Sequence, residues 1–363
     1  KNDMSEYTKV NSKSGGARSA GPLGGVYKTA YSYQNKDGEL EIKDQFILFK
    51  QDMVNGQVIH DNVIAEYVAA KLMQTFVGDS AASVILATPN KNTKLPDPTG
   101  NNVYVGSVYY DEFKDLYVDL YQSQGLKPPK DRPKLPSGVM VRGMIDQSSG
   151  KSNYLDFERV VAASAMVGDT DVHSSNFGVT PEKGVNNQKL KRLRKIDHGA
   201  ALVDLEDDLH IHSQSRHLPI TIRDGKLITQ PANQLLGYPR SLRISPEMAA
   251  EFDRIAKFDS VAVGSSVNSA IMNVAEYYGP RPLLAFAKRI GLKVSPELLK
   301  LNWEALPARQ AGDHKDQLVK EIQAYLRHRM FKRQESAKRL ATDIKLSLSF
   351  KYQGGAFKEA TFN

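Results

Sequence analysis

Gly168-Asp169-Thr170-Asp171-Val172-His173-Ser174-Ser175-Asn176-Phe177-Gly178 is the stretch on which the reading of this chain turns. It lies between a helical run, Leu155 to Val167, and a short apolar run that opens at Phe177. Gly168 suits the left-handed residue that ends a helix. Asp, Asn and Ser then favour turns, because their short side chains bond nearby backbone. A second carboxylate follows in Lys195-Ile196-Asp197-His198-Gly199, held between an apolar residue and a His-Gly pair. Phe177-Gly178-Val179 and the run closing at Lys195 read as paired strands of a hairpin. Its two ends then carry the amide of Asn176 and the carboxylate of Asp197.

Upstream, Val26 to Tyr33 alternates like a strand, and Asp37-Gly38 is a hairpin-turn signal. Gln45 to Lys50 reads as a buried strand that ends in a lysine, and 51–60 as a polar loop. Asn62 to Met73 has apolar residues at 63, 64, 67, 68 and 72, one face of a helix that Asp61 or Asn62 can cap. Ser83 to Ala87 and Val103 to Tyr110 add strands. Asp111 to Tyr121 reads as a helix, 122–138 as an exposed loop and Val139 to Val141 as a strand. From about residue 244 the chain is helical, over 246–257, 266–277, 281–290, 296–303 and 314–345. The expected class is α+β. A flexible arm covers 1–13, a small antiparallel sheet with one inserted helix covers 14–110, and a mostly helical part covers 111–363.

The 363 residues include no cysteine, which excludes disulfides, thiolate metal sites and cysteine nucleophiles. No apolar run is long enough to span a membrane. The net charge of +8 suits an anionic partner such as a nucleotide, an inositol phosphate or an anionic lipid surface. The densest basic run is Lys189-Leu190-Lys191-Arg192-Leu193-Arg194-Lys195, on the hairpin itself. Others are Lys127 to Lys134 and Arg327 to Arg339. Aromatic residues do not interleave with these runs, so nucleic acid is not expected. His210, His212 and His217 read as a surface loop rather than a ligand set.

Phosphoryl transfer from ATP needs backbone amides on the phosphates, an orienting cation, oxygens on a metal and a carboxylate at the acceptor hydroxyl. Candidates for all four occur in chain order. Glycines 15, 16, 21, 24 and 25 allow close backbone approach, although their spacing is neither G-x-G-x-x-G nor a Walker pattern. Lys28 follows them. Lys50, at the end of an apolar run, needs a partner or a cleft. Glu66, sixteen residues later on a helix, can pair with it and aim the ammonium at a nucleotide. Asp171 and Asn176 are five residues apart, the spacing that sets a base beside a hydroxyl and an amide oxygen on a metal. Asp169 competes for the base role at a spacing of seven from Asn176.

With its glycine-rich turn, strand Lys50, helix Glu66, Asp171-x-x-x-x-Asn176 and Asp197-His198-Gly199, the chain resembles the protein-kinase-like superfamily over about residues 14–205. Gly168-Asp169 and Asp197-His198-Gly199 bring the resemblance nearest to the phosphoinositide-kinase and HipA-like branches. H-R-D and A-P-E are absent. The resemblance implies a bilobal kinase-like fold, with ATP and Mg²⁺ or Mn²⁺ as cofactors. Gly24, Gly25, Lys28, Lys50 and Glu66 would serve the nucleotide, with Tyr109 in the adenine hinge. Asp171 would be the base, and Asn176 and Asp197 the metal ligands. The implied reaction is transfer to protein Ser/Thr hydroxyls, autophosphorylation included. Lys189, Lys191, Arg192, Arg194 and Lys195 would bind a regulatory inositol polyphosphate or anionic membrane surface. A phosphoinositide kinase is the alternative, and a nucleotide-binding pseudokinase the second. The implied location is cytoplasmic, compatible with a bacterial effector delivered into a host cell.

Overall fold

The computed structural model describes residues 2–12, 18–89, 99–123, 125–128, 154–169, 171, 176–207, 220–223, 226–229 and 246–353. Gly15, Gly16, the strand expected at 139–141, most of the loop expected at 122–138, His173 and the histidines at 210, 212 and 217 lie outside them. The architecture is α+β, with strands concentrated in the N-terminal half and helices in the C-terminal third. Two compact units divide the chain. The first is Lys1–Lys71, Ala82–Tyr109 and Val267–Tyr325, and the second is Leu72–Ala81, Tyr110–Ser266 and Leu326–Asn363. Residues 267–325, read from sequence as part of the C-terminal region, thus join the first unit.

The first unit is built on a six-stranded sheet. Its strands are β1 (Asn2–Asp3), β2 (Thr8–Asn11), β3 (Gly25–Gln34) and β4 (Leu40–Lys50). A two-residue hairpin, β5 (Met53–Val54) and β6 (Gln57–Val58), stands apart from the sheet, within the segment expected as a polar loop. Strands β7 (Val84–Thr88) and β8 (Tyr104–Val108) complete the order β1-β7-β8-β4-β3-β2. Only the β1–β7 pair among these neighbours is parallel. The β3–β4 hairpin runs from Gly25↔Phe49 to Gln34↔Leu40 and closes over Asp37-Gly38.

Residues expected as a flexible arm supply β1 and β2. All of β2 is exposed, so no apolar alternation marks it in the sequence. The backbone N–H of Asn2 donates to Tyr277 Oη at 2.7 Å, which anchors β1. One sheet face packs Met4, Tyr27, Ile47, Phe49, Ala87 and Tyr104 together, with Tyr7 and Tyr27 edge-on to Phe49. Helix α1 (His60–Val77) outruns the expected 62–73. Residues 62–70 are buried on every side, which blurs the amphipathic pattern that marks helix ends in a sequence.

The second unit holds a four-stranded sheet. It comprises β9 (Lys114–Asp115), β10 (Tyr154–Leu155), β11 (Phe177–Lys183) and β12 (Lys189–Lys195), in the order β10-β12-β11-β9. The β11–β12 hairpin pairs Phe177↔Lys195 through Lys183↔Lys189. The single helix expected over 111–121 is corrected. Glu112 has φ +55°, which no α-helix tolerates, and β9 precedes a shorter helix α2 (Leu116–Ser123).

Helix α3 (Phe157–Met166) buries eight of its ten residues. It ends in a Schellman motif: Asp169 N–H donates to Ser164 O at 3.0 Å, Gly168 N–H to Ala165 O at 3.1 Å, and Gly168 has φ +62°. Helix α4 (Pro246–Ala256) follows. The expected 266–277 segment extends to Ser260–Tyr277, and Pro280–Arg289 lies close to the expected bounds. The expected 296–303 helix is Pro296–Leu299 and a 3₁₀ turn, Trp303–Ala305. The last helix is one element, Ala308–Gln353. Among the described residues no helix is long and apolar enough to cross a membrane.

Side chains from the last helix close the ends of shorter ones. Arg333, fully buried, donates to Ala165 O, Met166 O and Glu206 O at 2.7–2.8 Å. Gln334 Nε2 donates to Ile255 O and Phe258 O. Helix C-termini leave carbonyls without partners, and these donors satisfy them. Desolvation pushes the Arg333 guanidinium down to about 10, against the opposing pull of the Glu206 and Asp207 carboxylates. Arg333→Ala is expected to destabilise the protein by about 3 kcal/mol, because the buried Ala165 and Met166 carbonyls and that of Glu206 lose a donor. Urea unfolding checks this, as a fall in midpoint at unchanged slope.

Candidate functional site

In the first unit, β4 carries Lys50 to the start of α1. Lys50 Nζ lies 3.1 Å from Glu66 Oε2, and the two side chains are 6% and 2% exposed. An ion pair so far from water needs a geometry that offsets desolvation of both groups. Lys50 is held in register by its pairing with Val105 of β8. The pair presents a buried, oriented ammonium at the end of a strand.

In the second unit, the Schellman turn after α3 places two carboxylates two residues apart in opposite surroundings. Asp169 is fully buried, whereas Asp171 is exposed. Asp169 Oδ2 lies 3.0 Å from Lys195 Nζ, and both side chains are 0% exposed. Asp169 Oδ1 accepts from the backbone N–H of Asp171 at 3.0 Å. Asn176 Nδ2 donates to Asp171 O at 2.7 Å and to Asp171 Oδ2 at 3.1 Å. The backbone N–H of Ile196 donates to Asn176 O at 3.0 Å, one residue before Asp197. The sequence left Asp169 and Asp171 in competition for one role. Burial separates them: Asp169 is an internal ion-pair partner and Asp171 the accessible carboxylate.

Asp197 is half-buried, and its Oδ1 accepts from Gly199 N–H at 3.3 Å. Its φ of +59° is left-handed, as are those of Leu202 (+61°) and Asp204 (+40°). Leucine rarely adopts this conformation, which costs of order 1–3 kcal/mol where the fold imposes it. Such residues cluster at functional segments. Leu202 N–H donates to Val167 O at 3.0 Å, which ties this segment to the end of α3. His198 is fully buried, with Nδ1 3.8 Å from Asp169 Oδ2.

The donor set at Asp171, Asn176 and Asp197 is carboxylate and amide oxygen, the chemistry of hard divalent cations. Among the described residues no group of three or more His, Cys, Asp or Glu could hold a metal by itself. The residues fit Mg²⁺ or Mn²⁺ in the mode where substrate phosphates and water complete the shell.

Other expected site residues have different surroundings. A Cβ on Gly24 would meet Ala20 O at 2.2 Å, and one on Gly25 would meet Asn11 O at 2.5 Å. These glycines admit neighbouring protein backbone. Lys28 pairs with Asp44 at 3.3 Å on the exposed face of the β3–β4 hairpin. Tyr109 is 42% exposed, and its N–H donates to Phe46 O at 2.9 Å.

The basic run of β12 is largely occupied by the protein itself. Lys191 Nζ is 2.7 Å from Asp119 Oδ2. Arg192 binds Glu182 and Asp156, and its guanidinium holds the Glu182 carboxyl below the usual carboxylate range. Arg194 donates to Asp79 O and lies 4.6 Å from the Tyr110 ring centre, while burial pushes the Tyr110 hydroxyl up. Lys195 is buried against Asp169, and Lys189 is exposed. Strand alternation sends these five side chains to two faces, and Lys191, Arg192 and Lys195 already have carboxylate partners.

Sequence reasoning missed Asp119 and Arg333. Buried Asp119 accepts from Tyr154 Oη and Lys191 Nζ, both at 2.7 Å. The partners Tyr154 and Lys191 of Asp119, and those of Arg333, are remote in sequence, so no local pattern marks them. A cavity of about 540 Å³ lies beside the hairpin, lined in part by Lys114, Asp119, Lys183, Lys189 and Lys191.

Residues 108–342 match the family model of the LepB N-terminal domain. The chain belongs to the LepB N-terminal domain family. This is not a protein-kinase-like family, and no kinase family model matches. The resemblance to the protein-kinase-like superfamily is corrected accordingly. Its motifs are short and made of turn-forming residues, which unrelated loops also place at such spacings. No curated protein matches the chain. The LepB N-terminal domain match contains the Asp171, Asn176 and Asp197 segments and begins after Lys50 and Glu66.

Lys50→Met leaves Glu66 buried without its ammonium and should cost about 3–5 kcal/mol. Adding Glu66→Leu should recover most of that loss. A double-mutant cycle in urea measures the coupling.

Proposed function

We propose that this chain is an ATP- and divalent-metal-dependent phosphotransferase with an alcohol acceptor. The observation that carries the reading is the cluster in the second unit: exposed Asp171 held by Asn176, with Asn176 tied through Ile196 to Asp197. The reading rests on these residues and not on kinship with kinases, since a fold family does not assign a reaction.

Asp171 accepts the proton of the attacking hydroxyl, and its exposure leaves it reachable by a bulky acceptor. Asn176 orients that carboxylate through Nδ2 and retains Oδ1 as an oxygen donor. A bound Mg²⁺ or Mn²⁺ supplies charge neutralisation on the phosphates, and Asn176 and Asp197 are the residues that would hold it. In the first unit, Lys50 is the oriented cation for phosphate oxygens, with Glu66 fixing its ammonium. Dependence on ATP places the activity in a cytoplasm, the producing cell's own or a host's.

The first acceptor class is a protein Ser/Thr hydroxyl, this chain's own included. A phosphoinositide headgroup is the second, favoured by the lysines lining the cavity beside the β11–β12 hairpin. A nucleotide-binding protein without transfer is the reading that a test of turnover must exclude.

Transfer of label from γ-labelled ATP decides. With Mg²⁺ or Mn²⁺, the wild-type chain should label itself, a protein acceptor or phosphoinositide vesicles. Asp197→Ala should label about a hundredfold less. Equal labelling by both proteins, or none by the wild type on any acceptor, overturns the proposal.

A further inference from the structure

We propose that Lys195 is a positioning residue of this site. Its buried ammonium ties the loop carrying Asp171 to the segment carrying Asp197 and so sets the separation of their carboxylates. The inference rests on the reading of Asp171, Asn176 and Asp197 as the base-and-metal set.

An ammonium has three N–H donors. Lys195 Nζ has three oxygen partners: Asp169 Oδ2 at 3.0 Å, Ile196 O at 2.8 Å, and Asp197 O. On the far side of Asp169, Oδ1 takes the N–H of Asp171. A series of contacts therefore runs from the Asp171 backbone, by a hydrogen bond to Asp169, by an ion pair from Asp169 to the Lys195 ammonium, and by a hydrogen bond to the carbonyl of Asp197. Its two middle members are wholly shielded from water. Low dielectric strengthens each of these bonds and makes an unmade one expensive, so the chain holds its geometry closely.

A buried ion pair alone is weak evidence of purpose, because apolar residues often replace one without loss. The partners of Lys195 distinguish this case. Two of them are the carbonyls of Ile196 and of Asp197, a residue held in the left-handed region at φ +59°. An apolar replacement fills the space but releases both carbonyls. The Phe177 ring, 5.7 Å from Nζ and at the start of β11, closes the pocket from the hairpin side. Strand β12 delivers the lysine there, since Lys195 is paired with Phe177.

The test compares wild type, Lys195→Met and Lys195→Met/Asp169→Asn. Three quantities are measured: urea stability, Mn²⁺ binding by electron paramagnetic resonance with a non-hydrolysable ATP analogue, and phosphate transfer. Lys195→Met should lose stability, because Asp169 is left buried without its cation. The double variant should regain most of that stability, yet bind Mn²⁺ about 10–100-fold more weakly. Its kcat should fall with the KM for ATP unchanged. If the double variant does not fold, Lys195→Gln/Asp169→Asn carries the same comparison. Mn²⁺ binding and kcat at wild-type levels in a stable double variant would make Lys195 merely structural and overturn the inference, with the phosphotransferase reading intact. A wild type that binds no Mn²⁺ with the nucleotide and transfers no phosphate removes that reading, and this inference with it.

Discussion

The Lys195–Asp169 ion pair is the constraint around which the second unit is arranged. Removing each ion from water carries an effective penalty of several kcal/mol, so the pair needs close partners: the Asp171 N–H on Asp169, and the Ile196 and Asp197 carbonyls on Lys195. That requirement dictates the local architecture. Helix α3 must stop at Gly168 for Asp169 to turn beneath the surface, and the β11–β12 register must end with Lys195 opposite Phe177. Arg333 then holds the last carbonyls of α3 from the C-terminal helix. Asp171 and Asp197 are neighbours of this buried pair in sequence, and their placement follows from it.

The first unit uses the same device with different parts. Strand β4 ends in Lys50 as β12 ends in Lys195, and each lysine is buried against a carboxylate on another segment. A lysine buried at the end of a strand needs such a partner. In the first unit the partner comes from the following helix, and in the second from the turn after a preceding helix. The consequence in both is an oriented, dehydrated ammonium. The two devices lie in separate units, and each can be broken separately.

The parts legible in the sequence were those governed by local rules. The β3–β4 hairpin, the stop of α3 at Gly168 and the β11–β12 hairpin were readable because turn chemistry and strand alternation act over a few residues. The Lys50–Glu66 contact was readable because a charged group at the end of an apolar run demands a partner. Elements without such signals were misread. Exposed edge strand β2 looked like an arm, and α1, buried all round, hid its own ends. The left-handed Glu112 broke a helix that composition favoured.

Sequence alone determined the α+β class, the main turns, and which side chains carry charge. Those properties follow from side-chain type and short spacing. Tertiary structure decided which of them are available. It buried Asp169 and exposed Asp171, two residues apart, and it turned Lys191, Arg192, Arg194 and Lys195 from a supposed anion patch into internal partners of Asp119, Glu182, Asp79 and Asp169. Charge in a sequence is a sum, whereas charge at a site depends on what lies within a few ångströms. Only the fold sets those distances.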